Sequence, residues 1–396
     1  MMLRISNLLG LVLLAVASAA FGQTTTPATA EGSQAVPTSA PGTATAAAAT
    51  PAPATPSPWT RGGIDIYLLG DVYADLNFNH PASGYNQLYN FNDKANSAHL
   101  SFTKVSFEKA SGILGFRVDA GTGRTVDIVG GGDDAPRGFR YLEQMYVEFR
   151  PPKAHGIQID FGKFVTSAGA EVIESNSNWN YSRALLFAFA IPYYHFGVRS
   201  TIPVTKTFTT GVQVVNGWNS LGVNNGMKTV GLVGNFTFKK GTWSNVYYTG
   251  PQQEGPGITN RAYRQLFDTN LVLNPNSKTS VYLNFDYGSD KLKFAPRSTW
   301  VGLAGAARFQ LNNRFAFTPR LEVFDDRNGF STGSVQTVKE LTLTGEMKLH
   351  EGLISRLEYR RDMSDQPFYD RGTGVMVAKN QSTVTLALIA FFGPKK

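Results

Sequence analysis

The chain of 396 residues contains no cysteine. That excludes a disulfide framework, a thiolate metal centre and a cysteine nucleophile. Histidine is scarce, with five residues scattered along the chain, so no His-rich metal site is expected. No apolar run reaches the ~20 residues a membrane-crossing helix needs. Mean hydropathy is −0.17, which excludes a bundle of such helices. Lys+Arg 37 against Asp+Glu 29 leaves a net charge of +8. The surplus is mild and forms no basic run, so nucleic acid is not an expected partner. No Walker-type loop and no nucleophile elbow occurs. What the chain does have is 40 Gly, 27 Phe and 16 Tyr, a composition that suits an all-β protein.

The N-terminus reads as an export signal over residues 1–22. Arg4 supplies the positive start, residues 8–21 form a 14-residue apolar stretch, and Ala17, Ala19, Ala20 and Gly22 offer cleavage sites just before Gln23. Residues 23–58 follow as a linker. Thirty of these 36 residues are Ala, Thr, Pro or Ser and none is aromatic. Such a stretch has too little apolar surface to offset its ordering entropy, so a disordered tether is expected.

From Trp59 onward the apolar pattern has a period of two. Val281, Leu283, Phe285 and Tyr287 share one face, with Tyr282, Asn284 and Asp286 on the other. Leu341, Leu343, Met347 and Leu349 alternate with Thr342, Thr344, Glu346 and Lys348. This is the signature of strands between an apolar and a polar medium. Sixteen such runs can be counted, near 62–78, 97–110, 112–122, 138–150, 156–164, 193–204, 206–217, 228–238, 241–250, 262–274, 277–287, 298–311, 313–325, 335–349, 352–362 and 379–392. In the second and fourth runs the alternation is imperfect: Val105 and Phe107 are out of phase with Leu100 and Phe102.

The connections alternate short and long along the chain. Short ones lie at 111, 151–155, 205, 239–240, 275–276, 312 and 350–351. Long ones lie at 79–96, 123–137, 165–192, 218–227, 251–261, 288–297, 326–334 and 363–378. Outer-membrane barrels sort their connections in this way, with short periplasmic turns and long outside loops. Residues 59–396 are therefore expected to form a transmembrane antiparallel β-barrel of about 16 strands in the bacterial outer membrane, with membrane lipid and small hydrophilic solutes as partners. The polar face would carry Arg117, Asp119, Arg140, Glu148, Arg199, Arg264, Asp268, Asp286, Arg308, Arg320, Glu322, Glu340, Glu346, Arg356, Glu358 and Arg360. A side-chain-filled interior cannot satisfy so many charges, whereas a water-filled channel can. Eight arginines against eight acids predict no strong ion selectivity, and the net charge of +8 leans only weakly toward anions. The last run ends at Phe391 and Phe392, close to the aromatic-ended strand read by the barrel-assembly machinery.

Residues 159–219 resemble a known family. The matching stretches are Ile159-Asp-Phe-Gly-Lys-Phe-Val-Thr166, Glu171-Val-Ile-Glu-Ser175, Asn178-Trp-Asn-Tyr-Ser-Arg-Ala-Leu-Leu-Phe187, Ala190-Ile-Pro-Tyr-Tyr-His195 and Val214-Val-Asn-Gly-Trp-Asn219. The chain is similar here to the OmpL-like β-barrel porins of Gram-negative bacteria, with Ser167 where that family usually has proline. The resemblance implies a passive pore with no cofactor. By analogy with trimeric general porins, the third outside loop, 165–192, would fold inward and the barrel would form a homotrimer. Glu171 and Glu174 would then face Arg117 and Arg199 across a constriction, with Arg183 on the loop and 185–190 forming a short apolar anchor. The bland alternative is that Trp179, Tyr181 and Arg183 only pack the loop.

Other signals are weaker. Gly130-Gly-Gly-Asp-Asp134 and the Asp325, Asp326, Asn328, Gly329 group hint at calcium but lack the rest of either motif. Sequons at Asn235 and Asn380 fall in strand runs. An enzymatic barrel of protease or lipase type would draw on His195 or His99. A structural barrel with a plugged lumen is the third class, although no segment is large enough to be a plug domain.

Overall fold

The computed structural model describes residues 57–109, 112–130, 138–222, 227–252, 263–291 and 296–394. The expected signal peptide, nearly all of the linker and most of the 130–134 glycine run lie outside the described residues. No described helix is long and apolar enough to cross a membrane.

Sixteen strands span the barrel. They are β1 (Ile64–Asn77), β2 (Ala98–Lys109), β3 (Leu114–Thr122), β4 (Leu142–Phe149), β5 (Gln158–Val165), β6 (Tyr194–Pro203), β7 (Phe208–Val215) and β8 (Thr229–Phe238). The second half is β9 (Gly241–Pro251), β10 (Tyr263–Asn276), β11 (Thr279–Lys291), β12 (Arg297–Gln310), β13 (Phe315–Asp326), β14 (Gln336–His350), β15 (Leu353–Ser364) and β16 (Asn380–Phe392). Each pairs antiparallel with its neighbours in sequence. The last strand closes on the first, from Thr383 opposite Asn77 to Phe392 opposite Leu68, so no edge is left to aggregate. A two-residue strand, Thr60–Arg61, folds back on Ile64 and Asp65, and Trp59 stacks on Phe392 with ring centroids 6.0 Å apart.

The outward rows are apolar and exposed, as in Leu321, Leu357, Leu386 and Leu232. Aromatics end these rows on the turn side (Phe236, Phe238, Trp243, Phe315) and on the loop side (Tyr263, Phe267, Tyr287), forming the two interfacial girdles of an outer-membrane barrel. All sixteen expected strands are present, with two local differences. Residues 139–141 form a 3-10 turn ahead of β4. In β2 the register against β1 slips between Asp71 and Val72, because Phe102 faces Asp71 while Leu100 faces Val72. Ser101 is thus an extra residue, a β-bulge. The bulge is the physical reason for the phase change seen in the sequence: it turns Phe102 and Lys104 inward while Leu100 and Phe107 stay outward.

Candidate functional site

Residues 166–193 leave the rim between β5 and β6 and bond to inward-facing side chains of distant strands. Glu171 Oε1 accepts from Arg320 of β13 at 2.8 Å. Its other oxygen accepts the Ala184 backbone N–H at 2.7 Å. Glu358 of β15 accepts the N–H groups of Tyr181 and Ser182 at 2.6 and 2.9 Å. Arg356 donates to the carbonyls of Ser175 and Asn178, and Arg360 to that of Arg183. The Tyr181 hydroxyl reaches Asp71 of β1 at 2.9 Å. Residues Leu186–Ala190 form one buried π-helical turn. Leu186 packs where Gly302 of β12 has no side chain, and Trp300 donates its indole N–H to the Ala190 carbonyl at 3.1 Å. Every loop carbonyl and amide named here gains a partner that water would otherwise supply, which is what allows irregular backbone inside a barrel.

Two ionic clusters hold this arrangement. Arg320 is fully buried among Glu171, Glu322 and Glu340, at 2.8, 3.0 and 3.1 Å. Lys104 meets Asp119 at 3.4 Å, Glu143 at 3.1 Å and also Glu174 of the loop. Asp119, Glu143 and Glu174 offer oxygens within 4.8 Å of one another, but the ammonium of Lys104 fills the place a metal ion would take. Glu143 reaches this cluster because it is the extra residue of a second bulge, opposite Asp119 and Ala120. Burial by itself raises the pKa of Glu174; the Lys104 ammonium outweighs it and holds the carboxyl below its ordinary value of 4.5. An acidic pair, Asp268 and Asp286, stands directly cross-strand. Neither Asp286 oxygen has a hydrogen-bond partner.

The loop thus lies against the wall of β10–β15, β1 and β2. The wall from β3 to β9 keeps half-exposed inward side chains, among them Arg117, Tyr146, Arg199, Asn235 and Ser244. A family model described as "Putative beta-barrel porin-2, OmpL-like" matches residues 64–392. The chain belongs to this family. It is an outer-membrane porin channel. Among curated proteins, none matches the porin in sequence. The solved structures it resembles share its fold. The channel DcaP of Acinetobacter baumannii has a TM-score of 0.57 at 9% identity, covering 83% of this porin and 97% of that chain. The anion-selective porin from Comamonas acidovorans has a TM-score of 0.56 at 10% identity, covering 83% and 99%. OmpF of Salmonella typhi has a TM-score of 0.55 at 11% identity, covering 83% and 97%.

The porin places most of the predicted site residues on its inner wall, each in an ion pair or backbone contact. Arg117 pairs with Asp119 at 3.0 Å, Arg199 with Asp160 at 2.7 Å and Arg264 with Asp290 at 2.6 Å. Arg308 and Arg356 share Glu346 at 2.7 and 2.8 Å. Glu322 accepts the N–H of Leu186 at 3.3 Å besides pairing with Arg320. Arg140 is a correction: it sits in the 3-10 turn before β4, exposed, 3.5 Å from Asp127, so it is not a wall residue. The expected pairing across the opening also differs. Glu171 meets Arg320 and Glu174 meets Lys104, not Arg117 and Arg199. Among the described residues Arg183 forms no ion pair; it donates to the carbonyls of Val172, Tyr181 and Ile173, stapling the loop to itself. Lys104 and Glu143 were absent from the predicted site because the bulges hide their phase. The Asp325–Gly329 segment is a turn in which Asp326 accepts the N–H groups of Phe330, Ser331 and Thr332.

Proposed function

We propose that this porin passes small hydrophilic solutes by diffusion, without chemistry, and that it prefers anions. One observation carries the preference. In three pairs flanking the free part of the lumen the cation reaches water further than its carboxylate does, whereas Glu108, 3.3 Å from Arg117, is itself 16% exposed. Side-chain exposure is 24% for Arg117 against 0% for Asp119, 15% for Arg199 against 2% for Asp160, and 18% for Arg264 against 4% for Asp290. A solute therefore meets guanidinium groups first, although wall charges balance in number. Loop 165–192 forms the opposite side of the constriction in this reading. The test is the reversal potential of the purified porin in a planar bilayer under a KCl gradient. Anion preference is expected, and Arg117→Gln with Arg199→Gln should move the potential toward cation preference by several-fold in permeability ratio. A parent pore that prefers potassium, or a double variant with unchanged potential, would refute the reading.

The enzymatic alternative finds little support. His195 is buried, with Nδ1 against the Gly217 carbonyl at 2.9 Å, and its ring packs against that of Tyr248 at 4.7 Å. His99 contacts the Ser97 hydroxyl at 2.7 Å, but no carboxylate orients its ring among the described residues.

A homotrimer is the assembly we infer. One structure of similar fold, OmpT of Vibrio cholerae, is described as a trimer form. On this chain, Ala74 and Ala98 are exposed and, with Val72, Leu100, Leu386 and Leu388, line an outward depression of about 520 Å³. Small residues there admit close approach of another barrel. Cross-linking in native membranes should give trimers; monomers alone would overturn this. The assembly machinery is expected to read the closing strand, with its Phe391 and Phe392.

A further inference from the structure

The net charge of +8 is not spread over the molecule. Lys109 ends β2 at the first short turn, Lys153 stands in the second and Lys206 in the third. Lys239 and Lys240 make up the whole of the fourth. Lys278 and Arg314 occupy the fifth and sixth, Lys348 stands two residues before the end of β14 and so close to the seventh, and all eight side chains are exposed. None has a carboxylate within ion-pair distance among the described residues. Arg150, in the second turn, is the ninth cation and pairs with Glu148 at 2.8 Å. Glu351 is the one acid in these turns. Nine cations against one acid leave a surplus of eight at these turns and the strand ends beside them.

These cations cannot reach far from the membrane. The fourth, fifth and seventh turns contain two residues each, 239–240, 277–278 and 351–352. Membrane-level aromatics adjoin them: Phe238 precedes Lys239, Trp243 follows Lys240 by three residues, and Phe315 follows Arg314. All three aromatics are outward and exposed. A lysine one or two residues beyond an aromatic girdle extends to the depth of lipid phosphates and no further. A polymer or a protein lying beyond the headgroups would meet this ring only after displacing lipid.

We propose that the short turns form a ring-shaped binding surface for anionic phospholipid headgroups of the inner leaflet of the outer membrane. Each cation near an anionic surface adds to the attraction, and the terms sum around the ring. Lys240 already has its ammonium on the Pro275 carbonyl at 2.9 Å, which holds it over the gap between two adjacent turns. Lipid bound in this way would also fix the vertical position of the barrel.

The test uses the full chain reconstituted in vesicles of phosphatidylcholine containing brominated phosphatidylglycerol, with brominated phosphatidylcholine as reference. Quenching of tryptophan fluorescence gives the relative binding of the two lipids. The parent should prefer the anionic lipid about tenfold or more at low salt, and 1 M NaCl should abolish most of that preference. Lys239→Gln with Lys240→Gln, Lys278→Gln and Arg314→Gln should lower it to about threefold. A control on the loop side, Lys291→Gln with Lys339→Gln, should leave it intact. Unchanged conductance steps establish that each variant is folded. If the four substitutions prevent folding, the Lys239, Lys240 pair alone should still lower the preference measurably. A parent preference near unity, or one insensitive to these cations, overturns the proposal. So does a result in which the turn variant loses binding to purified peptidoglycan while its lipid preference stays as in the parent. A loss of anion selectivity in the pore with lipid preference unchanged would assign the ring to the pore mouth and equally overturn it.

Discussion

Replacing Arg320 with methionine tests whether the loop and the wall are held by one buried cation. Arg320 is fully buried and is the shared partner of Glu171, Glu322 and Glu340, all within 3.1 Å. It also donates to the Ser182 carbonyl at 2.7 Å. Methionine keeps much of the volume and removes the charge and every donor. Three buried carboxylates then face one another without their cation. Removing one member of a buried ion pair costs about 3–5 kcal/mol, because the remaining charge stays desolvated. The porin can relieve part of this by letting Glu171 swing away with the loop, so the lower end of the range applies. The barrel should unfold in urea at a lower midpoint, and the loop should lose its attachment to β13.

Two measurements separate these effects. Equilibrium unfolding of the porin in lipid reads the loss of stability, while single-channel recording reads the loop. For Arg320→Met we expect a loss of ~3 kcal/mol together with larger, noisier conductance steps. Glu171→Gln removes only the loop's end of the contact and leaves Arg320 with Glu322 and Glu340. It should change the conductance in the same direction and cost about 1 kcal/mol. Arg320→Lys keeps the charge but not the planar fork that spans three acceptors, and should fall between the two. An Arg320→Met variant within 1 kcal/mol of the parent, with unaltered conductance, would show that this cluster does not hold the loop.

Two further predictions follow from buried carboxylates. The Glu174 carboxyl has its pKa lowered from 4.5, so its tie to Lys104 is present above that value and is lost only as pH falls through the lower folded-state value. Acid-induced loosening of the loop, read as a rise in conductance noise, should therefore begin below pH 4.5 in the parent and be present already at neutral pH in Glu174→Gln. Identical pH profiles would refute it. Asp286 faces Asp268 across the β10–β11 pair with no donor on either of its oxygens. Asp286→Asn relieves the apposition of two buried carboxyl groups and supplies an amide donor, so it should stabilise the barrel by about 1 kcal/mol in urea unfolding. A loss of stability of that size would mean that Asp286 has a charged partner in the folded porin.

The strands were legible because each spanning segment separates lipid from a polar interior, which imposes a period of two that a reader can count. That period fails where a residue is inserted. Ser101 advances the phase of β2 by one, so Lys104, which a strict alternation carried through from Leu100 sets on the lipid face, points inward to three carboxylates. Phe139-Arg140-Tyr141 alternates as a strand would, yet forms a 3-10 turn, and Arg140 was misplaced for that reason. The loop's partners were beyond reach in another way. Glu171 and Arg320 are 149 residues apart, and no local pattern records which of the wall arginines a folded loop will find. Composition placed a carboxylate near an arginine; only closure of the barrel decides which.

If the pore prefers anions as proposed, charge balance is a poor guide to selectivity for a reason rooted in side-chain length. Counting eight arginines and eight acids on the wall treats each as equally present to a solute. Arginine, however, lifts its charge several bonds from the backbone, while aspartate keeps its charge near the strand. When Arg117 and Asp119 lie two residues apart on one face, the guanidinium folds over the carboxylate at 3.0 Å and covers it. Arg199 does the same over Asp160 from the neighbouring strand. Each pair is neutral in sum and cationic at its surface. On the proposed reading, alternating Arg and Asp on a barrel interior presents guanidinium groups first to whatever passes. Arg308 and Glu346 show the limit of the effect: glutamate reaches nearly as far, and the two are equally exposed, at 11% and 13%. Selectivity in such a wall is set by reach as well as by sign, so exchanging Asp for Glu at Asp119 and Asp160 should erode the anion preference without altering the charge of the chain.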